Sequence, residues 1–196
     1  MLTAFAALGA LQGHRWAFGW VGGVMAASLV TFLAVLIHEL AHAAMAWRLG
    51  ATIHKIVVLP FEFSVRSRRL RIVRRAGHGD IGGCVTYNLD RISANVRHAL
   101  IAAAGPVANV ATAVVVGMFA YTSTYQSSYG RYDEPVGISM AIAFMLVSIG
   151  MGLSNLIPFD HSDGMRIWRY LILRGRMSGS AVDSLSRGGG SPKSPP

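Results

Sequence analysis

The sequence predicts an all-α polytopic membrane protein, a three-span helical core with a small β-rich cytosolic loop. Three observations predict it. Of 196 residues, 53% are hydrophobic and only 14% charged, with a mean hydropathy of +0.44, which is unlike an ordinary soluble domain. The apolar residues come in long uncharged runs rather than at one-face periodicity. The cations crowd into two of the segments outside those runs and leave the third nearly neutral.

Residues 1–15 are apolar but too short to cross a bilayer, and they lack the basic start and small-residue cleavage site of a secretory signal. They read as a lipid-facing or re-entrant preface. Trp16–Ile37 follows, 22 residues without a charge, about 33 Å long as a helix against a hydrocarbon core of about 30 Å. This first span extends over about 16–49, where Gly50 supplies a C-terminal stop. Ala51–Val65 is rich in β-branched and aromatic residues, and Pro60 argues for an edge or broken strand. Leu70–Val73 and Ile81–Tyr87 continue the small sheet, with Gly77, Gly79, Gly82 and Gly83 as turns or points of close approach.

The second span, about 95–121, contains the 23-residue uncharged run Ala99–Tyr121. The third, about 136–157, lies in the 24-residue run Val136–Phe159 and is broken at Pro158. Residues 16–164 therefore form one membrane-embedded core. Residues 165–187 are a basic juxtamembrane segment, in which Met165–Arg176 alternates apolar and basic residues as an interfacial helix does. Residues 188–196, rich in Gly, Ser and Pro, read as a disordered tail.

The net charge of +9 is explained by topology rather than by nucleic acid, which is not an expected partner. Arg48–Arg97 carries ten Lys/Arg against Glu62, Asp80 and Asp90, and the chain from Arg166 onward carries six against Asp183. The link Thr122–Pro135 has only Arg131, with Asp133 and Glu134. The excess of cations places the first link and the C-terminus in the cytoplasm, consistent with a cell (inner) membrane. The Arg66–Arg75 run suits contact with anionic lipid headgroups. The single cysteine, Cys84, excludes an internal disulfide and carries no CxxC-type metal signal.

The chemistry concentrates at His38-Glu39-Leu40-Ala41-His42, which fits H-E-x-x-H. Four residues apart on a helix, the imidazoles share a face and converge on one ion, and Glu39 lies about 100° round beside them. In a soluble protein the motif is often a surface helix without metal. Here, two histidines and a carboxylate near the end of an apolar span cost several kcal/mol to bury unless partnered. A polar network with Asn109 and Asn155, or snorkelling to the headgroups, is the bland account. A third ligand must come from elsewhere, and Asp160, His161 and Asp163 just past the third span all have suitable chemistry. With three spans in the stated orientation, the H-E-x-x-H segment, Gly105–Asn109 and Asn155–Gly164 arrive at one cytosol-proximal depth.

These three segments, in this order, resemble the site-2 protease family of intramembrane zinc metalloproteases (peptidase M50-like), in a minimal core form. The family carries H-E-x-x-H on one helix, a Gly-x-x-x-Asn or Gly-Pro segment on the next, and Asn-x-x-Pro-x-x-x-x-Asp-Gly on the third. Here they are His38–His42, Gly105-Pro106-Val107-Ala108-Asn109, and Asn155 and Pro158 followed by Asp163-Gly164; Gly82-Gly83 matches the family's glycine pair. The match runs from about Phe32 to Arg169. The resemblance implies one Zn2+ per chain held by His38, His42 and Asp163, with Glu39 as general base. It also implies that Asn155, with Asn109, holds substrate or oxyanion.

The implied activity is hydrolysis of transmembrane or juxtamembrane segments of membrane-protein substrates. The alternative is a proteolytically silent membrane scaffold or chaperone of the same fold; intact Glu39 argues against it, because a scaffold needs ligands but no base. A small transporter fits three spans poorly. Ser162 stands where the family often has leucine, and Phe159-Asp160-His161 is unusually polar for the pattern. No PDZ- or CBS-like regulatory domain is evident, so an accessory or regulatory membrane protein is an expected partner. His54, His78 and His98 read as loop or interfacial residues.

Overall fold

The computed structural model describes residues 15–74, 82–89, 94–127, 136–160 and 162–173. The apolar preface, Gly77, Gly79, His78, His161, the later part of the basic juxtamembrane segment and the tail lie outside the described residues. Within them the protein is mostly helical, with a small antiparallel sheet. Three helices among the described residues are long and apolar enough to cross a membrane. They are α1 (Arg15–Arg48), α2 (Ala94–Ser127) and α3 (Val136–Leu156). A fourth helical segment, α4, covers residues 163–173. The bounds of α1 and α3 agree closely with the expected spans, while α2 continues six residues past 121. Polar Thr122, Ser123 and Thr124 extend the helix there, because the end of an apolar run is not a helix stop.

Small residues bring the helices together. Ala26, Ala27, Val30 and Ala34 of α1 pack against Ala143 and Val147 of α3, with Met140, Phe144 and Met151 around them. Such residues let backbones approach without a large side chain between them. At Gly152 of α3 an added Cβ would meet the Pro106 carbonyl of α2 at 3.1 Å, so this crossing admits little more than hydrogen.

α1 ends in a left-handed residue, Gly50 (φ 80°). Ala51 N–H donates to the Ala46 carbonyl and Gly50 N–H to the Trp47 carbonyl, a Schellman pattern that reverses the chain. The strands β1 (Thr52–Val58), β2 (Phe61–Ser64), β3 (Arg69–Ile72) and β4 (Gly83–Asn88) then form a sheet of order β3-β2-β1-β4. Pro60 falls between β1 and β2, in a cis peptide bond after Leu59, rather than inside a strand. β1 and β4 pack along α1. The Phe61 ring meets Phe32 edge-on at 5.9 Å, which puts the far end of the sheet 16 residues (about 24 Å) back from the end of α1. The sheet thus runs beside the H-E-x-x-H turn.

Register gives the β2–β3 hairpin two unlike faces. Phe61 pairs with Ile72 and Phe63 with Leu70 on one, while Glu62 pairs with Arg71 and Ser64 with Arg69 on the other.

Candidate metal centre

α1 brings His38 and His42 to one face, one turn apart, and α4 brings Asp163 to meet them. His38 Nε2 lies 3.1 Å from Asp163 Oδ2 and 3.1 Å from His42 Nε2, and His42 Nε2 lies 3.2 Å from Asp163 Oδ2. The three atoms form a nearly equilateral triangle. Ligands about 2.0–2.1 Å from a tetrahedral zinc lie about 3.3 Å from one another, so the donor set and its spacing suit such an ion. His38 and His42 are buried and the Asp163 side chain is 13% exposed.

The surroundings fix which ring atoms face the triangle. His42 Nδ1–H donates to the Ile101 carbonyl at 2.6 Å, and a carbonyl can only accept. In a neutral ring His42 Nε2 is therefore a lone pair aimed at Asp163. Without a cation, satisfying that contact takes a second proton on a buried ring; a divalent cation satisfies it with the ring neutral. Ile101 stands beside Ala102, whose carbonyl loses its helical donor to Pro106, so the ladder of α2 is already open in this turn.

Asn109 is fully buried behind His38, with its side-chain amide 3.4 Å from His38 Nδ1. Its Oδ1 has no partner among the described residues. With the amide turned over, that oxygen accepts from His38 Nδ1–H and leaves Nε2 as the ligand atom. Asn109 is not among the residues that line the cleft, and its side chain lies against His38. Asn155 does line the cleft, and its Nδ2 lies 3.1 Å from His38 Nε2.

Gly105 closes the triangle from α2. A Cβ there would collide with His42 Nε2 and lie 2.7 Å from His38 Nε2, so any side chain would displace the two facing imidazole nitrogens. The triangle, the committed His42 tautomer and this glycine cradle together make the residues fit a metal.

Asp163 is held by its neighbours in sequence. Met165 N–H donates to Ser162 Oγ at 3.1 Å, making Ser162 the N-cap of α4. Phe159 N–H donates to the same oxygen at 3.1 Å, and the Ser162 hydroxyl reaches the carbonyls of Ile157 and Phe159, both at 2.8 Å. One hydroxyl thus ties the post-Pro158 turn to the first turn of α4, where Asp163 sits favourably at the positive end of the helix. Gly164 presses on the Leu156 carbonyl, where a Cβ has no room. Burial opposes the charge of Asp163, but in the metal-free protein, where a second proton on a ring turns its Nε2 into a donor, hydrogen bonds from His38 and His42 outweigh it and hold the carboxyl at about 2. Asp160, the competing candidate, is exposed at the rim and is not one of the three clustered groups.

A cleft of about 470 Å³ opens onto the triangle, lined by α1, β4, α3 and the start of α4. Buried Glu39 also lines it. At Gly83, the first residue of β4, a Cβ would lie 2.6 Å from Glu39 Cγ and 2.8 Å from its Oε1, so the glycine lets strand and glutamate touch. Tyr87 and Arg166 line the same cleft and were not singled out by sequence reasoning. No local signal marks Tyr87; Arg166, three residues after Asp163, is findable once Asp163 is placed.

The family model for peptidase family M50 matches residues 26–188. No curated protein and no solved structure matches the chain.

Proposed function

The chain belongs to peptidase family M50, and from that premise we propose that it is a zinc-dependent intramembrane endopeptidase. It hydrolyses peptide bonds in transmembrane or juxtamembrane segments of other membrane proteins. One observation carries the reading: two imidazole nitrogens and a carboxylate oxygen 3.1–3.2 Å apart, with Glu39 in the same cleft.

The membrane setting is supported by the three apolar helices, whose outward faces leave Val21, Val115, Met118 and Phe119 66–74% exposed. In the proposed orientation the basic hairpin and C-terminus face the cytoplasm, and Arg66, Arg68, Arg69 and Arg71 meet anionic headgroups.

His38, His42 and Asp163 hold the zinc, one per chain. When bound there, zinc makes a neighbouring water more acidic and polarises a substrate carbonyl. The Glu39 carboxylate takes a proton from the attacking water as its oxygen bonds to the carbonyl carbon. It delivers that proton to the leaving nitrogen as the C–N bond breaks. The Asn155 amide donates to the carbonyl oxygen as charge builds on it. Ile101 and Asn109 keep the imidazoles oriented. β4 is one of the two edge strands of the sheet and borders the cleft, so an unwound substrate segment can pair with its backbone.

Purified protein in liposomes, given a panel of tagged single-span substrates, tests the proposal. Cleavage abolished by a chelator and restored by zinc is expected. A folded, zinc-loaded protein that cleaves no member of a broad panel counts against it.

A further inference from the structure

The cleft contains a cation that the proposed chemistry does not use. Arg166 lines it from α4, one helical turn beyond Asp163 and therefore on the same face. Glu39, Asp160 and Asp163 line the cleft too, yet among the described residues Arg166 forms no ion pair with any of them. Its side chain is exposed at the opening. A guanidinium there is solvated in the free protein and available to whatever enters.

Tyr87 approaches from β4. Its hydroxyl is 2.8 Å from His98 Nδ1 on α2, and the two rings lie 5.6 Å apart at 36°. Burial raises the phenol above its usual range, the positive charge of Arg166 pulls it down and the Asp163 carboxylate pushes it up, so guanidinium and phenol, which line one cleft, are near enough to interact. When His98 donates from Nδ1–H to the phenol oxygen, the Tyr87 proton is left for a third group. The Asp163 carboxylate lies near the same phenol, but it is one of the three groups that would hold the zinc, so Arg166 keeps no carboxylate partner among the described residues.

The geometry points to Arg166 and the Tyr87 hydroxyl as a subsite for a carboxylate on the substrate, beside the bond to be cut. This rests on the protease reading above and names a specificity within it. A planar guanidinium gives a carboxylate two parallel N–H bonds, and the phenol adds a third donor from β4. The carboxylate has two natural sources: an Asp or Glu side chain in the juxtamembrane stretch, or the free C-terminus left by an earlier cut.

Binding tests it without requiring turnover. Fluorescent single-span peptides are titrated onto zinc-loaded Glu39→Gln protein in detergent. One series carries Glu or its isostere Gln at successive juxtamembrane positions; the other ends in a free carboxylate or an amide. A carboxylate is expected to bind about tenfold more tightly than its neutral isostere, the scale of one charge-assisted pair. The preference disappears in Arg166→Gln, persists in part in Arg166→Lys and falls a few-fold in Tyr87→Phe, while neutral peptides bind all four proteins alike. A preference following Glu position assigns the side chain, and one confined to free C-termini assigns the terminus. Equal binding of carboxylate and isostere to the Arg166 protein, or an undiminished preference in Arg166→Gln, overturns the subsite.

The two readings fail separately. Cleavage of charged and neutral isosteres by wild type with equal kcat/KM removes the subsite and keeps the protease. A carboxylate preference in binding with no cleavage of any substrate removes the protease and keeps the subsite.

Discussion

His42 donates from Nδ1 to the Ile101 carbonyl at 2.6 Å, and this bond between α1 and α2 turns His42 Nε2 toward His38 and Asp163. It makes the second helix part of the candidate metal centre although it contributes none of the three clustered groups. Asn109 and Gly105 of α2 act on the same cluster, one beside His38 and one against both rings. Each of these relationships has a measurable consequence.

Gly105→Ala places a methyl against the facing nitrogens of His38 and His42. Alanine is a better helix former than glycine, so α2 should survive. Zinc content is expected to fall from about one per chain to near zero with helical circular dichroism unchanged, the two facing nitrogens having been displaced. Full zinc content in Gly105→Ala contradicts the cradle.

Asn109→Leu keeps the number and branching of the side-chain heavy atoms and removes the amide beside His38. Zinc affinity should drop about 10–100-fold, the range for losing a group that orients a ligand histidine. If Asn109 contacted substrate instead, affinity would stay and only KM would rise. Zinc titration against a competing chelator separates the two.

Ser162→Ala removes the cap of α4 and the tie to Phe159. A loss of about 1 kcal/mol is expected for that helix end, with zinc binding weakened a few-fold because Asp163 is the next residue. Ser162→Asp, which can also cap, should retain most of the affinity.

Asp163 titrates in the folded protein at about 2, below its ordinary 3.8. A depressed carboxyl stabilises the fold above its unfolded value and ceases to as pH falls through the folded one. Metal-free protein should therefore lose about 2 kcal/mol between roughly pH 4 and pH 2 from this group. Asp163→Asn should flatten thermal stability over that window.

Much of this was legible in the sequence because it rests on spacing along one element. The i, i+4 histidines need only a helix, and uncharged runs locate the spans whatever the packing. Pro60 marked the break between β1 and β2 for the reason expected, since it cannot donate to a ladder. The choice between Asp160 and Asp163 was different. Both follow the third span, and family resemblance favoured Asp163, but the deciding feature is the Ser162 cap, which sets Asp163 in the first turn of α4 and leaves Asp160 at the rim. Ser162 had looked like a departure from the pattern, and it is the residue that shapes the turn. Ile101 was invisible because it acts through its backbone, which no side-chain motif records. His98 read as an interfacial residue, and its bond to Tyr87 depends on how β4 meets α2.

The most direct test of the central claim compares wild type with Glu39→Gln at equal, measured zinc occupancy on one tagged single-span substrate. Glutamine keeps the size of the side chain against Gly83 but cannot take a proton. Cleavage by wild type, with a loss of at least about 100-fold in Glu39→Gln, is the predicted result. Equal cleavage by the two zinc-loaded proteins would contradict the role of Glu39, and no cleavage by either would contradict the hydrolytic reading of this cleft.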